Sequence, residues 1–208
     1  MKGVYVFLAD GFEEIEALAT VDILRRGGVE TVTVSINHDR TVRGAHGIPV
    51  IADWNRDEFD GKVILGSSPE DAMIFPGGLP GASNLAEDEF LMTLMQKHFS
   101  EGGTVAAICA APGLVASQLP GIEGRKFTCY DGFEENMMAQ GAEYTGERAV
   151  CDGNLITGRG PGCAVEFALT VLAKLKGEEV SEKVRAGLLI LRRTTTRSIL
   201  LGTEVIIS

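Results

Sequence analysis

The 208-residue chain is 45% hydrophobic, enough to close the core of one α/β domain and too apolar for a disordered chain. A formal charge of −10 and a pI near 4.8 exclude sequence-independent nucleic-acid binding, which needs a positive surface. No apolar run reaches the ~20 residues of a membrane-crossing helix, and the short run after Lys2 is too brief for an export signal, so a cytoplasmic protein is expected.

Residues 3–8 form a first buried strand, and Asp10 and Gly11 turn the chain. Residues 13–26 carry apolar side chains at helical spacing, with acids early and Arg25 and Arg26 late, as the helix dipole favours. Gly27 and Gly28 stop this helix, and residues 30–36, rich in Val and Thr, make the next strand. A strand–helix–strand unit predicts a parallel sheet. Residues 41–51 read as a hairpin turning near Ala45-His46-Gly47, and residues 53–69 as an irregular loop anchored by Trp54 and Phe59. Residues 71–75 are a third core strand ending in Pro76-Gly77-Gly78. One helix is predicted over 85–99, followed by a central strand over 104–108 and a helix over 110–117. Further on come a strand (126–130), a helix (132–140), a hairpin (148–157) turning at Asp152-Gly153, and a glycine-rich turn (158–162). Helices over 164–175 and 180–191 complete the domain, and residues 192–208 form a tail of unknown role.

The four cysteines, Cys109, Cys129, Cys151 and Cys163, form no Cys-x-x-Cys pair, and His38, His46 and His98 have no metal-ligand spacing, so neither a metal site nor a disulfide framework is expected. Cys109 stands apart because it lies between a buried strand and a helix start, where unpaired N–H groups favour an anion and a thiol loses its proton more readily. The small Ala110 and Ala111 leave the sulfur approachable; the plain alternative is an inert cysteine filling a strand end.

Three segments converge at strand C-termini: 10–16, 76–78 and 109–110. A thiol at Cys109 can attack an electrophilic carbon, the N–H groups of Gly78 and Ala110 can hold the oxyanion, and an acid from the first helix can move protons. An ionised carboxylate beside the sulfur would raise the thiol pKa, whereas a protonated one would stabilise the thiolate. Glu16, one turn into the helix on an otherwise apolar face, is therefore preferred to Glu13 or Glu14, against the alternative of a solvated helix start.

Five segments together resemble the ThiJ/PfpI superfamily, and within it the branch of the parkinsonism-associated protein deglycase and its bacterial relatives. They are LADGFEEIEA (8–17), VDILRRGG (21–28), IFPGGLPGA (74–82), AAICAAP (106–112) and GRGPGCAVEFAL (158–169). The resemblance covers residues 1 to about 190. It implies a flavodoxin-like doubly wound sheet with helices on both faces, a single domain over 1–191 and a homodimer. It further implies that Cys109 is the nucleophilic, oxidisable cysteine, that Glu16 is the buried acid on its sulfur, and that Gly78 and Ala110 form the oxyanion hole. Gly77, Tyr130, His46, Arg159 and Pro161 are carried as lining positions, and Arg26 with Arg159 as arginines near the site and dimer. Many relatives place a histidine where this chain has Tyr130, a poor general base at neutral pH, so a cysteine–histidine protease or amidase is not expected. His46 aligns with a hairpin residue that reaches toward the partner's site in related dimers.

The implied function is a cofactor-independent glyoxalase or deglycase acting on 2-oxoaldehydes or their early glycation adducts on amines and thiols. The alternative is a redox sensor or chaperone in which Cys109 oxidises to a sulfinic acid. The first loop lacks a phosphate-cradling pattern, so neither flavin nor a nucleotide is expected.

Overall fold

The computed structural model describes residues 1–190, and the tail assigned to 192–208 lies outside the described residues. The first unit is as expected. Strand β1 (Val4–Leu8) is wholly buried, α1 (Glu14–Arg26) follows, and β2 (Thr31–Ser35) returns parallel to β1, with Val4 opposite Thr31 and Leu8 opposite Ser35. Strands β3 (Thr41–Arg43) and β4 (Pro49–Ile51) form the predicted hairpin.

The segment read as irregular contains a helix, α2 (Arg56–Lys62), started by a capping box in which Asn55 and Glu58 each accept from the other's backbone N–H. Its Phe59 is buried edge-on to Phe7 at 5.3 Å and Tyr5 at 5.6 Å, while Trp54 tilts against Tyr5, so both predicted anchors hold. Burying Phe59 contributes roughly 1.5–3 kcal/mol. After β5 (Ala72–Phe75) the single expected helix is two, α3 (Gly81–Ala86) and α4 (Glu89–Ser100). Asp88 breaks it: its backbone is extended and its carboxylate caps the Leu91 N–H at 3.0 Å.

Strand β6 (Thr104–Ile108) runs through the centre of the sheet. The helix after it, α5 (Ala111–Leu114), is one turn followed by a 3-10 turn at Ala116–Gln118, shorter than predicted. Beyond it, β7 (Lys126–Phe127), α6 (Glu135–Met138) and β8 (Glu143–Tyr144) form a small parallel annex. Strand β9 (Ala149–Asp152) pairs antiparallel with β10 (Leu155–Gly158), and α7 (Ala164–Lys176) and α8 (Glu178–Gly187) close the fold.

The main sheet has the order β2-β1-β5-β6-β10-β9, and every pairing except β10–β9 is parallel. Alternate residues face opposite layers. Tyr5, Phe7, Met73, Phe75 and Val105 join the core beneath α2, α4 and α5, while Val6, Leu8, Ile74, Ala106 and Ile108 pack against α1 and α7. From β1 the chain goes to β2 on one side, and the later strand β5 lies on the other. That reversal falls at the carboxyl ends of β1 and β5, beside β6, the kind of position where open α/β sheets place ligands. Among the described residues no helix is long and apolar enough to cross a membrane.

Candidate active site

Cys109 follows the last residue of β6 with φ +66°, a left-handed conformation that non-glycine residues rarely hold. Both its backbone groups are fixed: its N–H donates to the Gly158 carbonyl at 2.9 Å and its carbonyl accepts from the Tyr130 N–H at 2.8 Å. These bonds hold the sharp corner that sets the sulfur beside Gly77, and the residue is 9% exposed.

Glu16 meets it from α1. The Glu13 side chain caps the helix by accepting from the Glu16 N–H at 2.7 Å, which sets the first turn. Glu16 is 0% exposed, and its Oε2 accepts from the Gly77 N–H at 2.8 Å. Its Oε1 is buried without a hydrogen-bond partner. Gly77 is glycine because there is no room for more. A Cβ there would lie 2.5 Å from the Cys109 Cβ, 2.9 Å from the Glu16 Oε2 and 3.0 Å from the Cys109 sulfur. The backbone N–H groups of Gly78 and Ala110 face the sulfur.

Burial pushes the Glu16 carboxyl up to about 7, against the opposing pull of the Gly77 N–H and the Cys109 thiol. Burial, then the charge of an ionised Glu16, pushes the Cys109 thiol up to about 12, and the Gly78 and Ala110 N–H groups pull it partway back. Near neutral pH the Glu16 carboxyl is therefore in mid-titration beside a neutral thiol, and a thiolate exists only while Glu16 holds the proton. The sequence expectation of a thiol that loses its proton more readily is reversed, because burial and Glu16 outweigh the backbone donors. With α5 only one turn long, two individual N–H groups rather than a helix dipole favour the sulfur anion.

The profile of the DJ-1/PfpI family matches residues 2–174. The chain belongs to the DJ-1/PfpI family. It is 35% identical over 189 residues to Protein DJ-1 homolog A of Arabidopsis thaliana, covering 91% of this chain but 47% of the plant protein, so it spans about half that relative's length. It is 33% identical over 167 residues to the glutathione-independent glyoxalase DJR-1.2 of Caenorhabditis elegans, covering 80% of this chain and 84% of that one. The crystal structure of Drosophila melanogaster DJ-1beta superposes with a TM-score of 0.80 at 32% identity, covering 92% of this chain and 99% of that one.

The other lining positions of this DJ-1/PfpI chain are spread around the rim. Tyr130 is 49% exposed; its backbone holds the Cys109 carbonyl and its ring lies over Gly160. Arg159 spends its guanidinium on Asp131 at 2.8 Å and the Gly146 carbonyl at 3.1 Å, bracing the Tyr130 loop rather than reaching the sulfur. Pro161 opens the short turn Pro161–Cys163 that leads into α7. His46 does not join Cys109 within the chain: its Nδ1 lies 2.8 Å from the Glu14 Oε2. His38 pairs with Asp57 and His98 with Ser67 and Thr104, so all three histidines have partners other than the sulfur. Arg26 is not near the site; it sits at the far end of α1, exposed and paired with Asp22 at 2.6 Å.

Cys129 belongs to the core on the opposite face, its thiol pushed up to about 12 by burial, and all four cysteines are free. Sequence reasoning missed that Glu13 and Glu14 are buried as well as Glu16. The signal was the acidic run at a helix start, where unpaired N–H groups can hold carboxylates out of water.

Proposed function

We propose that this chain is a cofactor-independent glyoxalase or deglycase acting on 2-oxoaldehydes or their early adducts with amines and thiols. One observation carries the reading: a buried carboxyl pushed up to about 7 stands against a thiol flanked by two backbone N–H donors. The nematode relative's glyoxalase name supports it.

The shared proton organises the steps. The Cys109 thiolate adds to the aldehyde carbon, forming a C–S bond and converting the carbonyl to an oxyanion within reach of the Gly78 and Ala110 N–H groups. Glu16 gives its proton to that oxygen, completing a hemithioacetal, and is left as a carboxylate. That carboxylate takes the proton from the former aldehyde carbon and returns it to the neighbouring carbon, while the hemithioacetal hydroxyl proton passes to the neighbouring oxygen, so the first carbon becomes the thioester carbonyl and the second carries the hydroxyl. Water then cleaves the C–S bond, releasing the 2-hydroxy acid and restoring the thiol. A group near 7 suits both directions of transfer at neutral pH.

Steady-state turnover of methylglyoxal tests this. The wild type is expected to turn over and Cys109→Ser to lose roughly 10³-fold or more. The second reading, a redox sensor, draws on the same donors, since the Gly78 and Ala110 N–H groups and a protonated Glu16 can hold sulfinate oxygens as well as a thiolate. Sulfinate formation at low peroxide without methylglyoxal turnover would select it. A homodimer is part of the proposal: Ile15 and Leu18 on α1, with Ile48 and Ile51 on the β3–β4 hairpin, offer exposed apolar surface, and sedimentation equilibrium checks it.

A further inference from the structure

The geometry points to a divalent-cation site built by Glu13, Glu14 and His46, separate from the Cys109–Glu16 pair. No spacing along the sequence suggests it, because His46 is 32 residues from Glu14. The fold closes that gap by laying the β3–β4 turn across the first turn of α1. The Glu14 Oε1 accepts from the His46 N–H at 2.8 Å, and its Oε2 lies 2.8 Å from the His46 Nδ1. One ligand atom from each of the three side chains lies within 4.8 Å of the others.

Glu13 is the second, independent pointer. The residue is 6% exposed. One oxygen, Oε2, caps the Glu16 N–H, and the other makes no hydrogen bond among the described residues. Glu13 also has no ion-pair partner among them, while the only ion pair of Glu14 is with His46. Backbone N–H groups satisfy part of both carboxylates, and the one ion-pair partner recorded for the two is an imidazole on Glu14 whose charge is conditional. Buried charges are ordinarily paired or bound to metal. A divalent cation between Glu13, Glu14 and a neutral His46 supplies the missing charge.

The donor set selects the class of ion. One imidazole nitrogen and two carboxylate oxygens suit Zn²⁺ or Co²⁺ better than Ca²⁺ or Mg²⁺, which favour all-oxygen shells. Ligand atoms around a tetrahedral zinc lie about 3.4 Å apart, given bonds of about 2.0–2.1 Å. The Glu14–His46 contact must therefore open slightly and Glu13 must swing inward, both within side-chain rotation. The cation takes the place of the hydrogen between Nδ1 and Oε2. The His46 side chain is 71% exposed, which leaves a fourth position for water. Such an ion clamps the hairpin to the turn that carries Glu16.

The experiment titrates Zn²⁺ against a chromophoric chelator using the full chain with Cys109→Ser, so that the site thiol cannot compete, and repeats it with Co²⁺ by visible absorption. One equivalent is expected to bind, with affinity falling at least about tenfold in His46→Ala and in Glu13→Gln. His46 is a surface residue, so its loss does not threaten folding, and far-ultraviolet circular dichroism checks both variants. Three results overturn the site. These are the absence of a stoichiometric ion in the Cys109→Ser chain, equal affinity in His46→Ala, or an ion that binds wild type and is lost with Cys109→Ser.

Discussion

Two buried ionisable groups sit at opposite rims of the same sheet, and they are solved differently. At the start of β6, His98 is fully buried, with Nε2 3.0 Å from the Thr104 carbonyl and Nδ1 2.9 Å from both the Ser67 hydroxyl and the Met1 nitrogen. Burial, aided by the nearby ammonium, holds it down to about 4, so it is neutral at pH 7 with both nitrogens bonded. At the other end of β6, burial moves Glu16 by a comparable amount to about 7, leaves one oxygen without a partner, and sets the carboxyl against a thiol. Burial alone therefore does not mark a reactive group. The unmet hydrogen bond and the adjacent nucleophile do.

The comparison can be broken most sharply with two alanines. Each rim has a glycine pressed on its ionisable group: Gly77 on Glu16 and Cys109, and Gly103 with a would-be Cβ 2.1 Å from the His98 Cε1. Gly77→Ala is expected to cut methylglyoxal turnover roughly 10²-fold, since a displacement of about 1 Å at a reacting pair costs that much. Gly103→Ala is expected to cost about 1–3 kcal/mol of stability from overpacking, with kcat unchanged. Chemical denaturation and steady-state kinetics on both variants decide it. Equal loss of activity in the two would dissolve the distinction between the rims.

The pH dependence of stability should carry opposite signs. Glu16 binds its proton more tightly folded than unfolded, so its contribution is complete below the unfolded value near 4.3 and is lost as pH rises through about 7. The loss amounts to about 3 kcal/mol. Glu16→Gln should therefore gain stability relative to wild type between pH 5 and pH 8, by roughly 2–4 °C per kcal/mol in melting temperature for a chain of this size. A melting difference that stays flat over that range would refute the shared proton. His98 is lowered, so its contribution is present above the unfolded value near 6.5 and is lost as pH falls toward about 4. Its share, about 3 kcal/mol, should appear as acid destabilisation, with the ring titrating near 4 by NMR.

How much of this was legible follows from how local each signal is. Strands β1, β5 and β6 were readable because a strand buried on both faces is a continuous apolar run, and α1 because its period and its dipole-matched charges agree. Helix α2 was missed although its Asn55 to Glu58 capping signature lay in the sequence, hidden among loop-like neighbours. The break at Asp88 was missed because the apolar period continues across it. The strand read over 126–130 is only the two residues of β7, and the two-residue β8 carries no periodicity to read. At the site, the Cys109 corner announced itself through a strand running straight into Ala-Ala-Pro. The contact of Glu14 with His46, and the choice of Gly77 for want of space, are products of packing between distant segments.

The smallest expected effect tests whether the reactive rim needs a third group. Tyr130 is half exposed at the rim, and its firmest tie to the site is its backbone N–H on the Cys109 carbonyl. Any residue except proline keeps that bond. Phenylalanine also keeps the ring over Gly160, so Tyr130→Phe removes only the hydroxyl. If Glu16 alone moves the protons, kcat/KM for methylglyoxal should fall less than about threefold, under ~0.7 kcal/mol of transition-state stabilisation. A tenfold loss would mean that the phenol donates to the reacting oxygen. The site would then be a triad rather than a pair, and the contrast with His98 would rest on three groups instead of two.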